Sequence, residues 1–276
     1  MTDEESRFIR DFLEEKFGLG FHEDKKTKLE AKLTPRVSIN NFSSFMEYYL
    51  YLKFNTNNKS EISRIAQLLT NNETYFMREV NQLEVFSSIL KNIKMDKVNS
   101  GTNKIRILSA GCSSGEEPYT LAMLLFESGL FIGDWDINII GIDIDEDAIE
   151  KALKGYYYNN SFRGIPSEYL KRFFLNNGDA YIIKDFIKKR VEFKVANLID
   201  GAILSSFTNI DIIFCRNVII YFSELSVEKL IDNFSKMFNP KGYLFLGHAE
   251  SLIRFTNKFK LIKFPNGIVY QKEDRA

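Results

Sequence analysis

Apolar side chains in the first 70 residues recur every three or four positions, which is the spacing of amphipathic helices. Four such stretches follow one another without the alternation typical of strands. Thr2 and Glu5 have the spacing of a capping box before the first stretch, Gly18 ends it, and Pro35 closes the second. The predicted helices begin near Thr2, Glu23, Ser44 and Asn58. The pattern predicts a small bundle of four short helices.

From about residue 104, short apolar segments typical of strands alternate with helical segments. The predicted strands span residues 105–110, 138–143, 191–195, 211–215 and 243–247. This alternation predicts an α/β fold built on a parallel, doubly wound sheet. Two more strand-like segments flank Pro265-Asn266-Gly267, which predicts a C-terminal hairpin.

The alternation is interrupted between about residues 156 and 190. An aromatic and basic helix is followed there by two short strands around Asn177-Gly178, which indicates a small subdomain inserted into the connections of the sheet. The polar stretch 94–104 is predicted to be a linker. We expect an all-α N-terminal domain at residues 1–75 and an α/β domain at residues 76–276.

Composition narrows the class of protein. The chain has 276 residues, 45% of them hydrophobic, and its 37 basic and 37 acidic side chains give no net charge. These are values of a globular protein, and the balanced charge argues against a general nucleic-acid binder. Two cysteines cannot build a disulfide framework. Because the chain starts with acidic residues and has no apolar run long enough for a bilayer, we expect a soluble, cytoplasmic protein.

In a doubly wound sheet, ligands bind beyond the carboxyl ends of the strands, so the segments that follow the strands are the candidates for chemistry. The first strand is followed by Gly-Cys-Ser-Ser-Gly-Glu-Glu-Pro-Tyr, residues 111–119. Its small residues let a ligand approach the backbone, and Glu116 and Glu117 suit a cationic or hydroxyl-rich ligand better than a pyrophosphate. The alternative is a tight turn whose acidic residues complement the helix dipole.

Polar residues also follow the other strands. Asp143 ends the second strand, where an acidic residue commonly accepts both hydroxyls of a ribose, and Asp145 can cap the next helix. Asn197 follows the third strand and Asn217 follows the fourth. Each is an ordinary loop residue alone, but together they indicate an amide-rich site for an amino acid or adenine.

Upstream of the sheet, Asn72, Thr74 and Arg78 are spaced so that they can share one side of a turn that enters a helix. Arg78 would present a forked cation suited to a carboxylate. The alternative is a capped helix with an exposed arginine, and the spacing alone favours that interpretation.

These segments together closely resemble the CheR-type chemoreceptor glutamate O-methyltransferases. The matching blocks are Asn-Glu-Thr-Tyr-Phe-Met-Arg-Glu, Gly-Cys-Ser-Ser-Gly-Glu-Glu-Pro-Tyr, Gly-Ile-Asp-Ile-Asp, Ala-Asn-Leu, Phe-Cys-Arg-Asn-Val-Ile-Ile-Tyr-Phe and Gly-His-Ala-Glu-Ser-Leu. They occur in the family's order and cover nearly the whole chain. Met77 stands where the family usually has Phe, and Ala249 where Ser is frequent.

The resemblance implies a Rossmann-like methyltransferase domain that uses S-adenosyl-L-methionine, yields S-adenosyl-L-homocysteine and needs no metal. It places Arg78 at the methyl-transfer site, with Tyr221 beside the transferred methyl group. It implies that Glu117 faces the amino-acid end of the cofactor and Asp143 its ribose. The full set of implied cofactor-binding residues is Asn72, Thr74, Arg78, Glu117, Asp143, Asn197, Leu198, Arg216, Asn217 and Val218.

The implied substrate is a glutamate on the cytoplasmic helical region of a methyl-accepting chemotaxis receptor, converted to its methyl ester. This carboxylate is ionised at neutral pH and needs no general base, so Arg78 would only position it, beside an aromatic wall such as Tyr221 or Phe76. The alternatives are a non-catalytic receptor-binding adaptor and a methyltransferase of another substrate class. The intact cofactor set argues against the first, and the helical N-terminal domain against the second.

Two features bear on how a receptor would dock. Lys25, Lys28, Lys32 and Arg36 recur at helical spacing, which indicates either a solvated face or a surface that steers an acidic receptor helix. In some members of the family the inserted subdomain binds a C-terminal pentapeptide of the receptor. Because the loop here is short and offers only Gly178, we expect no such tether. From the balanced charge and the absence of a long apolar run, we expect no nucleic-acid partner and no membrane insertion.

Overall fold

The computed structural model describes residues 1–21, 25–70 and 73–273. Within these ranges the N-terminal part is helical: α1 (Asp3–Phe17), α2 (Lys26–Ile39), α3 (Phe45–Phe54) and α4 (Lys59–Leu69). The capping box is confirmed, because the Thr2 hydroxyl accepts the Glu5 N–H at 3.2 Å and the Glu5 carboxylate accepts the Thr2 N–H at 2.7 Å. The Ser44 hydroxyl caps α3 by accepting the Glu47 N–H at 3.1 Å. The predicted start of the second helix at Glu23 lies outside the described residues.

Helix α2 differs from its prediction, because Pro35 lies inside the helix rather than at its end. Proline removes one backbone donor, but the helix continues to Ile39 because side chains beyond the proline are held by the bundle. Val37 is buried with Leu33, and Arg36 forms an ion pair with the buried Glu61 of α4. Tertiary contacts therefore outweigh the local cost of the proline.

A fifth helix, α5 (Val80–Asn99), occupies most of the stretch predicted as a linker. Its apolar face packs against the sheet, and Lys97 pairs with Asp211 at 2.5 Å. The prediction of a linker at 94–104 is therefore wrong over its first half. The polar residues there belong to a helix, and Lys97 is held by its ion pair, so the segment is not a loose connection.

The rest of the chain forms the predicted α/β architecture, which is confirmed. The strands are β1 (Lys104–Ala110), β2 (Asp136–Asp143), β3 (Tyr156–Tyr157), β4 (Phe174–Asn177), β5 (Ala180–Ile183), β6 (Val191–Val195), β7 (Ile210–Cys215), β8 (Phe238–Leu246), β9 (Phe259–Phe264) and β10 (Gly267–Lys272). The helices between them are α6 (Glu116–Glu127), α7 (Glu146–Lys154), α8 (Ser167–Phe173), α9 (Asp185–Lys188), α10 (Gly201–Leu204) and α11 (Glu224–Met237).

Among the described residues, seven strands form one sheet in the order β6-β2-β1-β7-β8-β10-β9. The first five are parallel, and the hairpin of β9 and β10 adds antiparallel strands at one edge. The side chains of β1 alternate between two cores, with Ile105 and Ile107 in one and Leu108 and Ala110 in the other. After β1 the chain adds β2 and β6 on one side of the sheet and then β7 and β8 on the other side. The order of the strands therefore reverses between β1 and β7, and a ligand site is expected at that point.

The inserted subdomain is a second small sheet in the order β3-β5-β4, flanked by α8 and α9. The two strands predicted around Asn177-Gly178 are β4 and β5, joined by a tight turn in which Asn177 pairs with Ala180. Strand β3 was not predicted. Its two residues are too few to give a readable alternation.

The helical bundle is joined to the sheet by a short backbone pairing. Leu19, just after α1, forms an antiparallel bridge with Phe222. Gly20 N–H donates to the Tyr221 carbonyl at 2.9 Å, and Ser223 N–H donates to the Gly18 carbonyl at 2.8 Å. The bundle therefore contacts the segment that follows β7. No helix in the described part of the chain is long and apolar enough to cross a membrane.

Candidate active site

A cavity lies at the carboxyl ends of β1, β2, β6 and β7, between the sheet and the helical bundle. It holds about 970 Å³ of space, part of it open to solvent. The predicted site residues that line it are Thr74, Arg78, Glu117, Asp143, Asn197, Leu198, Arg216, Asn217, Val218 and Tyr221. Asn72, the remaining predicted residue, lies outside the described residues.

The turn after β1 brings backbone close to the cavity. Gly111 has a positive φ of 77°, and its N–H donates to the Ile142 carbonyl at 2.8 Å. A Cβ atom at this position would lie 2.5 Å from Val218 Cγ2. Only glycine fits both the conformation and the space, so the turn is shaped by the loop that packs on it.

Asp143 ends β2 with its buried carboxylate at the cavity wall. One oxygen accepts the Ser113 N–H at 2.7 Å and the other accepts the Asp145 N–H at 2.9 Å. Burial raises the pKa of Asp143, and these backbone bonds oppose that rise. Each oxygen keeps a second lone pair, so the group can still accept hydroxyl hydrogens from a ligand.

A chain of polar contacts links β1 to Arg78. Ser109 donates to one oxygen of Glu117 at 2.6 Å, and Arg216 Nε donates to the other at 2.6 Å. Arg216 also donates to the backbone carbonyl of Arg78 at 2.9 Å and lies 3.6 Å from Glu79. Its side chain is only 3% exposed. Arg216 therefore holds Glu117 and the backbone of Arg78 in place, which is more than the cofactor contact implied by resemblance.

Glu250 holds the loop after β7, and sequence reasoning assigned it no role. One oxygen accepts the N–H groups of Gly247 and Asn217, and the other accepts those of Val218 and Ile220, at 2.6 to 3.3 Å. Asn217 is held at a positive φ of 59°. Burial raises the pKa of Glu250, and the four N–H bonds oppose that rise. The block Gly-His-Ala-Glu-Ser-Leu contained the signal, since an acidic residue just after a buried strand needs partners.

The loop after β6 lines the cavity and also contacts the helical bundle. Asn197 lines the cavity, but its amide donates to the Lys16 carbonyl at 2.7 Å and its oxygen accepts the Ile199 N–H at 3.2 Å. Both polar atoms thus serve the junction between α1 and the sheet. Leu198 is buried and adds apolar surface.

The helical bundle supplies part of the cavity wall that sequence reasoning missed. These residues are Phe17, Leu19, Ala66 and Thr70. They come from the ends of α1 and α4, and no motif distinguishes them from ordinary core positions. Their place at the cavity depends on how the bundle packs on the sheet.

The mouth of the cavity is more exposed than its inner wall. Arg78 is half-buried, donates to the Glu73 carbonyl, and places its guanidinium 5.8 Å from the centre of the Tyr75 ring. Tyr221 lines the same cavity. The suggestion that Phe76 forms the aromatic wall is wrong. Its buried ring packs among the aromatic rings of the inserted subdomain, and it does not line the cavity.

The chemistry of these residues fits S-adenosylmethionine. Asp143 presents acceptor capacity at the end of β2, and Gly111 lines the cavity where Val218 packs closely on it. Leu198 and the bundle residues supply apolar surface. The described residues include no cluster of His, Cys, Asp and Glu that could hold a metal ion.

A doubly wound sheet with an antiparallel hairpin at one edge and a cavity at its switch point defines a Rossmann-like ligand-binding domain. A family model described as the SAM binding domain of CheR methyltransferase matches residues 72–268. A second, described as the all-alpha domain of CheR methyltransferase, matches residues 4–70. The chain therefore belongs to the CheR methyltransferase family, and S-adenosylmethionine is its cofactor.

Several relatives match over most of the chain. Chemotaxis protein methyltransferase 2 of Vibrio cholerae is 35% identical over 100% of this chain and 95% of its own length. The chemotaxis protein methyltransferase of Borreliella burgdorferi is 36% identical over 91% and 88%. A probable biofilm formation methyltransferase, WspC of Pseudomonas putida, is 30% identical over 89% of this chain and 56% of its own. The protein is a methyltransferase of the chemotaxis type.

Proposed function

We propose that this protein methylates glutamate side chains on the cytoplasmic helical region of chemoreceptors, producing glutamate methyl esters and S-adenosylhomocysteine. The observation that carries the proposal is Arg78 at the mouth of the cofactor cavity. Among the described residues, no carboxylate forms an ion pair with its guanidinium, which bonds instead to a backbone carbonyl. A cation so placed suits an incoming carboxylate.

The reaction needs positioning rather than proton transfer. S-adenosylmethionine supplies an electrophilic methyl group on a cationic sulfur. A glutamate side chain is already ionised near neutral pH, so no general base is required. Arg78 holds the carboxylate for in-line attack, while Tyr75 and Tyr221 exclude water from it. Arg216, through the backbone of Arg78, keeps this cation at the mouth.

We assign the remaining cavity residues by their surroundings. Asp143 accepts the ribose hydroxyls, and Glu117 faces the amino-acid end of the cofactor while its charge is balanced by Arg216. Thr74, Leu198, Asn217 and Val218 close around the rest of the cofactor. The division of the chain into an all-α domain at residues 1–75 and a methyltransferase domain at residues 76–276 is also part of this proposal.

The proposal includes docking without a peptide tether. The subdomain edges are β3, with two residues, and β4, with four, and the turn between β4 and β5 is short. Such edges offer few backbone groups for strand addition. Titrating a receptor C-terminal pentapeptide against the protein tests this point, and binding at micromolar concentration would contradict it.

Methyl transfer to a receptor fragment tests the main proposal. The cytoplasmic fragment of a chemoreceptor from the same cell is incubated with enzyme and S-adenosylmethionine labelled on the methyl group, and the labelled product is treated with alkali. A glutamate methyl ester releases labelled methanol, whereas an N-methyl amine does not. A matched fragment with glutamine at the methylated positions is the control. Label that is stable to alkali, or that enters the control equally, would refute the substrate assignment.

A further inference from the structure

A second arginine, on the inserted subdomain, contacts two residues that line the cavity beside Arg78, namely Glu73 and Tyr75. Arg163 forms an ion pair with Glu73 at 2.8 Å, and its guanidinium lies 4.7 Å from the centre of the Tyr75 ring. Arg78 lies against the same ring at 5.8 Å. Two cations therefore share one aromatic side chain at the cavity mouth, although they come from segments far apart in sequence.

Arg163 is held there by packing, because the residues before it are anchored. The Phe76 N–H donates to the Ser161 carbonyl at 2.8 Å, and the Ser161 hydroxyl donates to buried Glu116 at 2.9 Å. Phe162 stacks on Phe76 with ring centres 5.3 Å apart. These contacts tie the segment to the start of α6 and to the motif that carries Arg78.

The present partner of Arg163 is replaceable. In the Arg163–Glu73 pair the two side chains are 55% and 50% exposed, so water and ligands reach both. Hydrogen bonding to Arg163 lowers the pKa of Glu73, which therefore stays ionised near neutral pH. An exposed ion pair of this kind contributes little stability and exchanges readily for another carboxylate.

We propose that Arg163 binds a second acidic side chain of the protein substrate, one or two helical turns from the methylated glutamate, and that this side chain displaces Glu73. The inference rests on the proposed function, since it takes the substrate to be a glutamate on a helix. Side chains three, four or seven residues apart share a helix face, and one turn spans about 5.4 Å. Two neighbouring cations match that arrangement. Arg163 is thus a specificity-determining residue, whereas Arg78 takes the reacting carboxylate.

The test compares two receptor fragments, one with acidic residues three, four and seven positions from the methylated glutamate and one with glutamines there. For the wild type we expect KM to be about two- to fivefold lower for the acidic fragment. In Arg163→Gln this preference disappears, while kcat on the neutral fragment and the Kd for S-adenosylmethionine stay unchanged. Glu73→Gln removes the internal competitor and lowers KM for the acidic fragment.

Arg172→Gln is the matched control. Arg172 lies on the same subdomain with the same 55% exposure, pairs with Glu127 at 2.8 Å and contacts the Phe126 ring. That site is at the opposite end of α6, a helix about 18 Å long, from the cavity. The control should keep the acidic preference of the wild type.

The outcomes separate the inference from the proposed function. If Arg163→Gln keeps the full preference, or if Arg172→Gln loses it equally, Arg163 has no specific role and the inference falls while glutamate methylation stands. If the wild type forms no alkali-labile methyl on either fragment, the proposed function falls and the inference with it.

Discussion

The inner wall of the cavity and its mouth are built from similar charged groups but in opposite ways. On the inner wall, Arg216 is 3% exposed and contacts three partners, and behind the wall Glu250 accepts four backbone bonds from the loop and from Gly247. At the mouth, Arg163 is 55% exposed and pairs with an equally accessible Glu73. The contrast indicates a cofactor side that is formed before binding and a substrate side that rearranges.

The difference has an energetic basis. A buried charge that loses a partner is left without solvation, so each inner-wall group depends on the others. Exposed pairs at the mouth are screened by salt and contribute less than about 1 kcal/mol each. Substitutions on the inner wall should therefore change cofactor affinity and folding, and substitutions at the mouth should change catalysis and substrate affinity.

The largest expected effect is from Arg78→Ala, which removes the cation that orients the substrate. We expect kcat to fall about 100-fold, because misplacing the carboxylate disrupts the in-line geometry. The Kd for S-adenosylmethionine should stay within about twofold, since Arg216 bonds to the backbone of residue 78 and not to its side chain. Single-turnover methylation and calorimetry measure the two quantities. An equal loss of cofactor affinity would break the distinction between mouth and inner wall.

Asp143→Ala should weaken S-adenosylmethionine binding by roughly 1–3 kcal/mol through lost hydrogen bonds. Asp143→Asn separates charge from shape. Because burial raises the pKa of Asp143, wild-type affinity should fall on acidification at a higher pH than for an exposed aspartate, and the Asn variant should lose this pH dependence. Calorimetry between pH 4.5 and 8 is the measurement. Unchanged affinity in a folded Asp143→Ala protein would remove Asp143 from the site.

Glu250→Gln should lower both the free energy of unfolding and the cofactor affinity by about 2 kcal/mol. The reason is that the NH2 group of glutamine, itself a donor, would face two backbone N–H donors. Glu224→Gln is the control, since Glu224 forms an exposed pair with Arg254. Urea unfolding with and without cofactor measures the effect. Similar small losses in both variants would show that Glu250 does not hold the loop.

The smallest effect concerns the basic stripe of α2, which the structure divides. Lys25 and Lys28 are exposed, whereas Lys32 donates to the Leu68 carbonyl and Arg36 pairs with Glu61. Reversing the charge at Lys25 and Lys28 should raise KM for a receptor fragment about two- to threefold at low salt and flatten its salt dependence. A matched reversal at Lys260, exposed on β9, should do neither. If the two variants have the same KM and the same salt dependence, the lysines of α2 do not steer the receptor, and substrate contacts are confined to the cavity mouth.

The local signals in the sequence predicted much of the fold. The capping box of α1, the alternation of strands and helices, and the Asn177-Gly178 turn each depend on neighbours in sequence, and the structure has all three. The continuation of α2 past Pro35 depends on contacts with α4, which are distant in sequence. The last part of α5, residues 94–99, was predicted as a linker because the segment is rich in polar residues.

The candidate site was predicted as a set of positions more than as a set of contacts. Motif residues such as Asp143 follow strands, so topology brings them together, and resemblance supplied Arg78. The polar atoms of Asn197 and the guanidinium of Arg216 are bound to other parts of the protein, which no spacing shows. The role of Glu250 depends on the path of the loop and becomes visible only once the chain is folded.

The backbone bridge between Leu19 and Phe222 has a consequence for how the molecule melts. The loop from Asn217 to Tyr221 is hydrogen-bonded to Glu250 at one end and to Gly20, just after α1, at the other. The bundle cannot detach without releasing the loop that shapes the cofactor cavity. The bundle and the sheet should therefore denature in one cooperative calorimetric transition, and cofactor binding should move that whole transition upward in temperature rather than split it.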